Sequence, residues 1–101
     1  NYIYAELEPF DNMNPDCQGW YSSTCLSKLP EDYDAIIIDG PAGINRVNFT
    51  YFSDYFKSDV PYIIDDTQRA ADREMAIELA KKLSREYIEI VGRKKNTIIL
   101  I

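Results

Sequence analysis

The segment Asp34-Ala35-Ile36-Ile37-Ile38-Asp39-Gly40-Pro41 carries the clearest structural pattern in this chain. Its apolar residues follow one another without polar residues between them, which is typical of a strand buried on both faces inside a parallel sheet. Gly40-Pro41 then ends the strand. Because ligands of open α/β sheets bind beside the carboxyl ends of the strands, Asp39 is expected at a functional position.

A second apolar segment, Val60-Pro61-Tyr62-Ile63-Ile64-Asp65-Asp66, ends in the same way. If the two segments form neighbouring parallel strands, their carboxyl ends meet at one edge of the sheet. Asp39, Asp65 and Asp66 would then lie close together. This acidic cluster is the strongest functional signal in the sequence, and Asp39 is its candidate catalytic residue.

The composition limits the chemistry that such a site can perform. The chain of 101 residues suffices for one domain, taken to span residues 1–101. Its formal net charge of −6 argues against binding to the phosphate backbone of a nucleic acid. The chain contains no histidine, so acid–base or metal chemistry would have to use carboxylate, lysine, tyrosine or cysteine side chains.

The sequence also indicates a cytoplasmic protein. Cys17 and Cys25 are interpreted as reduced thiols, and a disulfide between them stays open as the alternative. No apolar run reaches membrane-spanning length and no signal peptide is recognisable, so no contact with a membrane is expected. The chain begins at Asn1 with a strand-like run, which suggests a piece of a longer protein.

The remaining segments extend the alternation of strands and helices. Residues 1–8 are rich in aromatic and β-branched residues and predict a strand. Helices are predicted at residues 22–29, 48–57 and 70–87. Thr67 is expected to cap the third helix. Residues 88–91 and 97–101 predict two strands whose short connection allows only an antiparallel hairpin. The predicted fold is α/β, with a Rossmann-like, mostly parallel sheet, helices on its faces and a C-terminal antiparallel β-hairpin.

This order of elements resembles the C-terminal part of a class I S-adenosylmethionine-dependent methyltransferase. In that family a fourth strand, a helix, a fifth strand, a long helix and an antiparallel hairpin follow one another. Here residues 33–41 resemble the fourth-strand motif, and residues 62–66 resemble the fifth strand with its acidic end. Residues 2–5 together with residues 19–21 resemble the third strand and the helix after it.

The resemblance implies S-adenosylmethionine as the cofactor and a small molecule as the methyl acceptor. In the family this cofactor is held by a glycine-rich loop after the first strand and by an acidic residue that ends the second strand. Neither element is present in the chain. The chain would then be the C-terminal part of a longer methyltransferase, and it would be inactive as an isolated piece.

In a metal-dependent branch of the O-methyltransferases, one aspartate after the fourth strand and an acidic pair after the fifth hold Mg²⁺, which orients two substrate hydroxyls. Asp39, Asp65 and Asp66 fall on these positions, and three carboxylates with water suit this ion. Arg46 and Arg69 are the candidate substrate-binding residues, because a guanidinium group can bind an acidic group bidentately. A structural interpretation stays open: the aspartates can cap the next helix, and the arginines can neutralise them as ion pairs.

Two further expectations concern partners. A degenerate methyltransferase-like domain that serves only in protein contacts is the alternative to an enzyme. If the first strand of the full fold is missing, the strand at residues 34–39 has an open apolar edge, which invites pairing with another chain. A homodimer is therefore expected, formed edge to edge or by exchange of the strand at residues 1–8. As an alternative, that N-terminal strand can fill the vacant place beside residues 34–39.

Overall fold

A computed structural model of the chain describes residues 5–101, and residues 1–4 lie outside the described part. The elements are, in chain order, β1 (Leu7–Glu8), β2 (Trp20–Tyr21), α1 (Ser23–Leu26), β3 (Ile36–Ile38), α2 (Phe49–Phe52), β4 (Tyr62–Ile64), α3 (Ala70–Lys82), β5 (Tyr87–Val91) and β6 (Asn96–Leu100). Two 3₁₀ helices, Gly43–Asn48 and Ser53–Tyr55, flank α2.

The main sheet has four strands in the order β3-β4-β6-β5. β3 and β4 are parallel, whereas β6 is antiparallel to both of its neighbours, β4 and β5. The predicted C-terminal hairpin is confirmed, because residues 92–95 leave room only for a tight reversal between β5 and β6. The last strand of the chain thus lies between β4 and β5.

The predicted Rossmann-like, mostly parallel sheet is wrong. Residues 5–101 form a mixed sheet of four strands, a separate antiparallel sheet of two strands and three α-helices. Insertion of β6 beside β4 makes antiparallel pairs the majority, and the part of the N-terminal strand that the structure describes does not join the main sheet. Leu7–Glu8 instead pairs with Trp20–Tyr21 in the small sheet.

The helices cover one face of the main sheet. Side chains alternate between the two faces of a strand, and Ile38, Ile64 and Ile98 occupy matching, buried positions on three adjacent strands. These residues share a core with buried α3 residues such as Leu79. The expectation that the strand at residues 34–39 is buried on both faces is wrong, because Ile37 of β3 is 69% exposed on the opposite face.

The N-terminal region differs from its predicted structure. Within the described part, the strand expected at residues 1–8 is reduced to Leu7–Glu8, and residues 1–4 of that prediction lie outside it. The pair Trp20–Tyr21, compared above with a helix, forms β2. Gly19 enables this close pairing: its φ is 141°, and a side chain there would collide with the carbonyl group of Glu8.

The predicted helices are shorter than expected. The segment at residues 48–57 divides into α2 and a 3₁₀ helix, and α3 begins at Ala70 as predicted but ends at Lys82. The predicted N-cap is wrong: Arg69 occupies that position, and the buried Thr67 donates its backbone N–H to Asn96 O at 3.0 Å. No helix in the described residues has the length and apolarity needed to cross a membrane.

Candidate functional site

Three carboxylates meet at the edge of the main sheet where β3 and β4 end. Asp39 follows β3, and Asp65 and Asp66 follow β4. The strands are parallel and paired in register, so their carboxyl ends lie side by side, and Asp65 N donates a hydrogen bond to Ile38 O at 3.2 Å. One oxygen from each carboxylate lies within 4.8 Å of those of the other two. The structure therefore brings together the acidic residues that the sequence analysis singled out.

Arg46 connects the ends of both strands from the 3₁₀ helix Gly43–Asn48. Its buried guanidinium donates to Asp39 O at 3.0 Å, to Asp65 O at 3.5 Å and to Asp66 Oδ2 at 3.0 Å. These bonds satisfy two backbone carbonyl groups that the ends of β3 and β4 would otherwise leave open. Arg46 is thus part of the framework of the cluster.

Asp66 is the most strongly held of the three carboxylates. Its backbone has a left-handed φ of 60°, a conformation that aspartate tolerates better than most residues. Besides Arg46, its carboxylate accepts hydrogen bonds from Arg69 Nη2 at 2.7 Å and Gln68 Nε2 at 3.4 Å. The hydrogen bond from Arg46 is the main reason why the pKa of Asp66 falls to about 2. Asp66 is therefore ionised at neutral pH.

Lys95 places a third cation at the cluster. Its Nζ lies 3.5 Å from Asp65 Oδ2 and 3.4 Å from Asp66 Oδ1, and the side chain is largely exposed. The hydrogen bond with Asp66 is the main reason why the pKa of Lys95 is raised. The sequence analysis missed this residue. The predicted C-terminal hairpin could have indicated Lys95, because the turn of a hairpin whose second strand pairs with β4 must lie near the end of β4.

Arg69 and Asp72 complete the cluster on the side of α3. Arg69 is about half exposed, and its Nε lies 3.0 Å from Asp72 Oδ2. Asp72 is buried, its Oδ1 lies 3.8 Å from Arg46 Nη1, and burial raises its pKa despite the nearby arginines. Sequence reasoning missed Asp72, although its i,i+3 spacing from Arg69 predicts a contact on one helix face.

The two candidate substrate-binding arginines are therefore both at the acidic cluster. Arg46 is buried and bonded within the protein, whereas Arg69 keeps part of its side chain accessible. Asp39 is the most accessible of the three carboxylates, and its Oδ1 lies 3.7 Å from Arg46 Nη2. The positions of all five predicted residues are thus compatible with one shared site.

An apolar cleft of about 320 Å³ opens next to Asp39. Its walls come from β2, α1, β3 and the aromatic segment around α2, and include Trp20, Tyr21, Cys25, Ile38, Phe49 and Phe56. The volume lies within the range of small-molecule sites in proteins. Trp20 also packs in the core, where its ring stacks on Phe52 with the centroids 5.4 Å apart. Burial raises the pKa of Tyr21, so its hydroxyl is protonated at neutral pH.

The donor set fits a hard divalent cation. Carboxylate oxygens are the ligands that Mg²⁺ prefers, and Asp39 and Asp65 are open to solvent. Arg46 and Arg69 bind Asp66 Oδ2, so a cation would share this carboxylate with them. Lys95 competes for Asp66 Oδ1 and for Asp65 Oδ2, and its flexible, exposed side chain can move away. Cys17 is buried and Cys25 is half-buried, and the two form no disulfide in the structure.

No protein-family model, curated protein or solved structure matches this chain significantly.

Proposed function

We propose that this chain is the C-terminal part of an S-adenosylmethionine-dependent methyltransferase that uses Mg²⁺ to bind a small hydroxylated methyl acceptor. The observation that carries the proposal is the meeting of Asp39, Asp65 and Asp66 at the ends of two parallel strands. The order of elements from β3 to β6 supports the same class, since a short helix, a strand, a long helix and an antiparallel hairpin follow β3.

The three carboxylates have different roles in this proposal. Asp65 and Asp66 would hold the cation, and Arg46 fixes the carboxylate of Asp66 through the 3.0 Å hydrogen bond. A bound Mg²⁺ would supply a Lewis acid that lowers the pKa of an acceptor hydroxyl. Asp39 borders both the cluster and the cleft, so its carboxylate can contact the acceptor and take up the hydroxyl proton.

The cleft and Arg69 would bind the acceptor itself. The aromatic and aliphatic walls beside Asp39 favour an acceptor with an apolar, planar body. Arg69 is accessible at the rim of the cluster and can pair with an acidic group of the acceptor. Arg46 would act through Asp66, because its guanidinium is buried among protein partners.

The competing function is a non-catalytic interaction module in which the cluster is purely structural. The observation that favours it is the pairing of the carboxylates with Arg46, Arg69 and Lys95, which balances much of their charge without a metal. The two functions differ in one measurable property, the affinity of the cluster for a divalent cation.

Titration of the chain with Mn²⁺, followed by electron paramagnetic resonance, tests the cation site directly. We expect one bound Mn²⁺ that Mg²⁺ displaces. Asp65→Asn should weaken Mn²⁺ binding by at least about tenfold. Removal of a residue that only hydrogen-bonds to a metal ligand already lowers metal affinity by about that factor. Asp32→Asn is the matched control, because Asp32 is exposed and lies outside the cluster.

Lys95→Met separates the two interpretations further. Removing the ammonium that lies near Asp65 and Asp66 should tighten Mn²⁺ binding if these oxygens are metal ligands. If neither the unchanged chain nor Lys95→Met binds Mn²⁺, the metal-dependent function is wrong and the structural cluster remains.

The methyltransferase class requires its own measurement, made on the longer protein that contains this chain. Isothermal titration with S-adenosylmethionine should show binding, and Asp39→Asn should abolish methyl transfer while leaving cofactor binding largely intact. If the protein binds Mn²⁺ but not S-adenosylmethionine, the methyltransferase class is wrong and the acidic cluster is a cation site in a protein of another class.

A further inference from the structure

The face of the main sheet opposite the helices carries a row of isoleucines. The pairing registers place Ile37, Ile63, Ile99 and Ile88 at matching positions on β3, β4, β6 and β5, one residue from each strand. Ile90 lies two residues after Ile88 and therefore on the same face. Ile37, Ile88 and Ile90 are 69%, 48% and 51% exposed. None of these residues belongs to the hydrophobic core.

This composition is unusual for a face in contact with water. A sheet with one solvated face normally alternates apolar residues on the core side with polar residues on the water side. On the open face β3, β4 and β6 instead carry Ile37, Ile63 and Ile99, β5 carries Ile88 and Ile90, and Thr97 of β6 is the one polar residue among the strand positions of this face. A continuous exposed apolar surface of this kind is typical of an interaction surface.

We propose that, in the chain of 101 residues, this isoleucine face is the interface of a homodimer in which two copies pack face to face as a two-layered sandwich. The row is symmetric enough to serve as its own partner, because each strand contributes a side chain of the same size. Two sheets pack in this way about 10 Å apart with their strands roughly aligned. A twofold axis parallel to the strands places Ile37 over Ile88 of the second copy and Ile63 over Ile99 of the second copy.

The charges at the edge of the sheet favour this orientation. Asp39 and Asp65 follow β3 and β4, and the turn at residues 92–95 lies at the same edge, as the contact between Lys95 and Asp65 shows. A twofold axis along the strands brings the acidic ends of β3 and β4 over the basic turn of the second copy. Arg93 and Lys94 in that turn form no ion pair within residues 5–101, so they are available for such contacts.

The other face-to-face orientation is disfavoured for the same reason. A twofold axis across the strands would place the edge with Asp39 and Asp65 over the opposite edge of the second copy. At that edge Asp34, Asp59 and Glu86 precede β3, β4 and β5 and outnumber the nearby cation Arg85, which is bonded to Ser58 O and Ile101 O, so like charges would meet.

Sedimentation equilibrium of the unchanged chain tests the dimer, with Ile37→Glu as the disrupting variant. Ile37 is mostly exposed in one copy, so the substitution should preserve the fold, as judged by circular dichroism. It should weaken dimerisation by about tenfold or more, because a carboxylate would be buried against apolar residues. Tyr51→Glu is the control: Tyr51 is 68% exposed but lies on α2, away from this face, and the variant should dimerise normally.

Cross-linking with a short bismaleimide identifies which surfaces meet. In a Cys25→Ser background, a mixture of Ile37→Cys and Ile88→Cys chains should give the mixed product, and each variant alone should give little. Self-linking of Ile37→Cys together with self-linking of Ile88→Cys would indicate the face-to-face orientation with the twofold axis across the strands. Self-linking of Ile37→Cys alone would indicate pairing at the β3 edge, and self-linking of Ile88→Cys alone would indicate pairing at the β5 edge.

Three results would overturn the proposal: a monomer at high protein concentration, a dimer that Ile37→Glu leaves intact, or either self-linked product as the main species. These measurements are made without divalent cations and use no residue of the acidic cluster. Failure of the dimer is therefore distinguishable from failure of the cation site.

Discussion

At the level of single residues, Arg46 has the largest structural role at the acidic cluster. Its guanidinium is buried and contacts the ends of both β3 and β4 together with the carboxylate of Asp66. A buried charge of this kind is tolerated only when it is paired and hydrogen-bonded, and its partners depend on it in turn.

Arg46→Leu should therefore lower the free energy of unfolding by about 3–5 kcal/mol, since it removes the buried cation that bonds the carbonyl groups of Asp39 and Asp65 and balances the charge of the acidic cluster. Urea denaturation measures this loss. Arg73→Leu is the matched control: Arg73 pairs with Glu89 at the surface, and its removal should cost at most about 1 kcal/mol. Equal losses for the two variants would contradict the framework role of Arg46.

Asp66 should make the protein sensitive to acid. Its pKa is about 2 in the folded protein and 3.8 when unperturbed, so its ionised form stabilises the fold above pH 4. This contribution is lost as the pH falls from about 4 to about 2. In Asp66→Asn, stability should therefore fall less steeply over this interval, as measured by urea unfolding at a series of pH values.

Asp72 provides the comparison for that experiment. Burial raises its pKa, so protonation of Asp72 at low pH favours the folded state rather than opposing it. Asp72→Asn should therefore make the loss of stability in acid steeper. If both variants changed the dependence of stability on pH in the same direction, the opposite pKa shifts of Asp66 and Asp72 would be contradicted.

At the level of elements, the small sheet depends on one glycine. Gly19 has a φ of 141° and precedes Trp20, which pairs with Glu8. The loop before it is held by the buried Asn45, whose Oδ1 accepts hydrogen bonds from Gln18 N at 2.7 Å and Gly19 N at 3.2 Å.

Gly19→Ala should destabilise the protein by about 1–3 kcal/mol, because the methyl group meets the carbonyl of Glu8 and the backbone conformation is strained. Denaturation followed by the fluorescence of Trp20 measures the effect. Gly43→Ala is the control: its φ is 61°, but a side chain there meets no atom within 4 Å, so only the backbone cost of about 1–2 kcal/mol remains. A smaller loss for Gly19→Ala would contradict the close approach of β1 and β2.

At the level of the whole molecule, the helices cover one side of the sheet and leave isoleucines on the other. Ile38 is buried while Ile37, its neighbour in the same strand, is mostly exposed. The acidic cluster lies at an end of the strands, so assembly through the open face would bring the second copy near the site without covering the cleft residues that lie on the helix side.

The site residues on the strands were the most predictable part of this protein. An apolar run that ends in aspartate, repeated in parallel strands, is enough to place Asp39 and Asp65 together, because local sequence sets the strand ends. Lys95 and Asp72 were not predicted as members of the cluster. The spacing of Asp72 from Arg69 predicts their contact, but the position of both beside Arg46 depends on how α3 packs. The contacts of Lys95 depend on the position of β6, which no local pattern encodes.

The sequence by itself determined the apolar strand cores, their acidic ends and the C-terminal hairpin, because these follow from neighbouring residues and from the length of one short connection. The order β3-β4-β6-β5, the pairing of the acidic ends with Arg46 and Lys95, and the exposure of one isoleucine face were decided only by the tertiary structure. The physical reason is that an apolar residue in a strand favours burial whatever covers it. Which element covers it depends on contacts between residues that are distant in the chain.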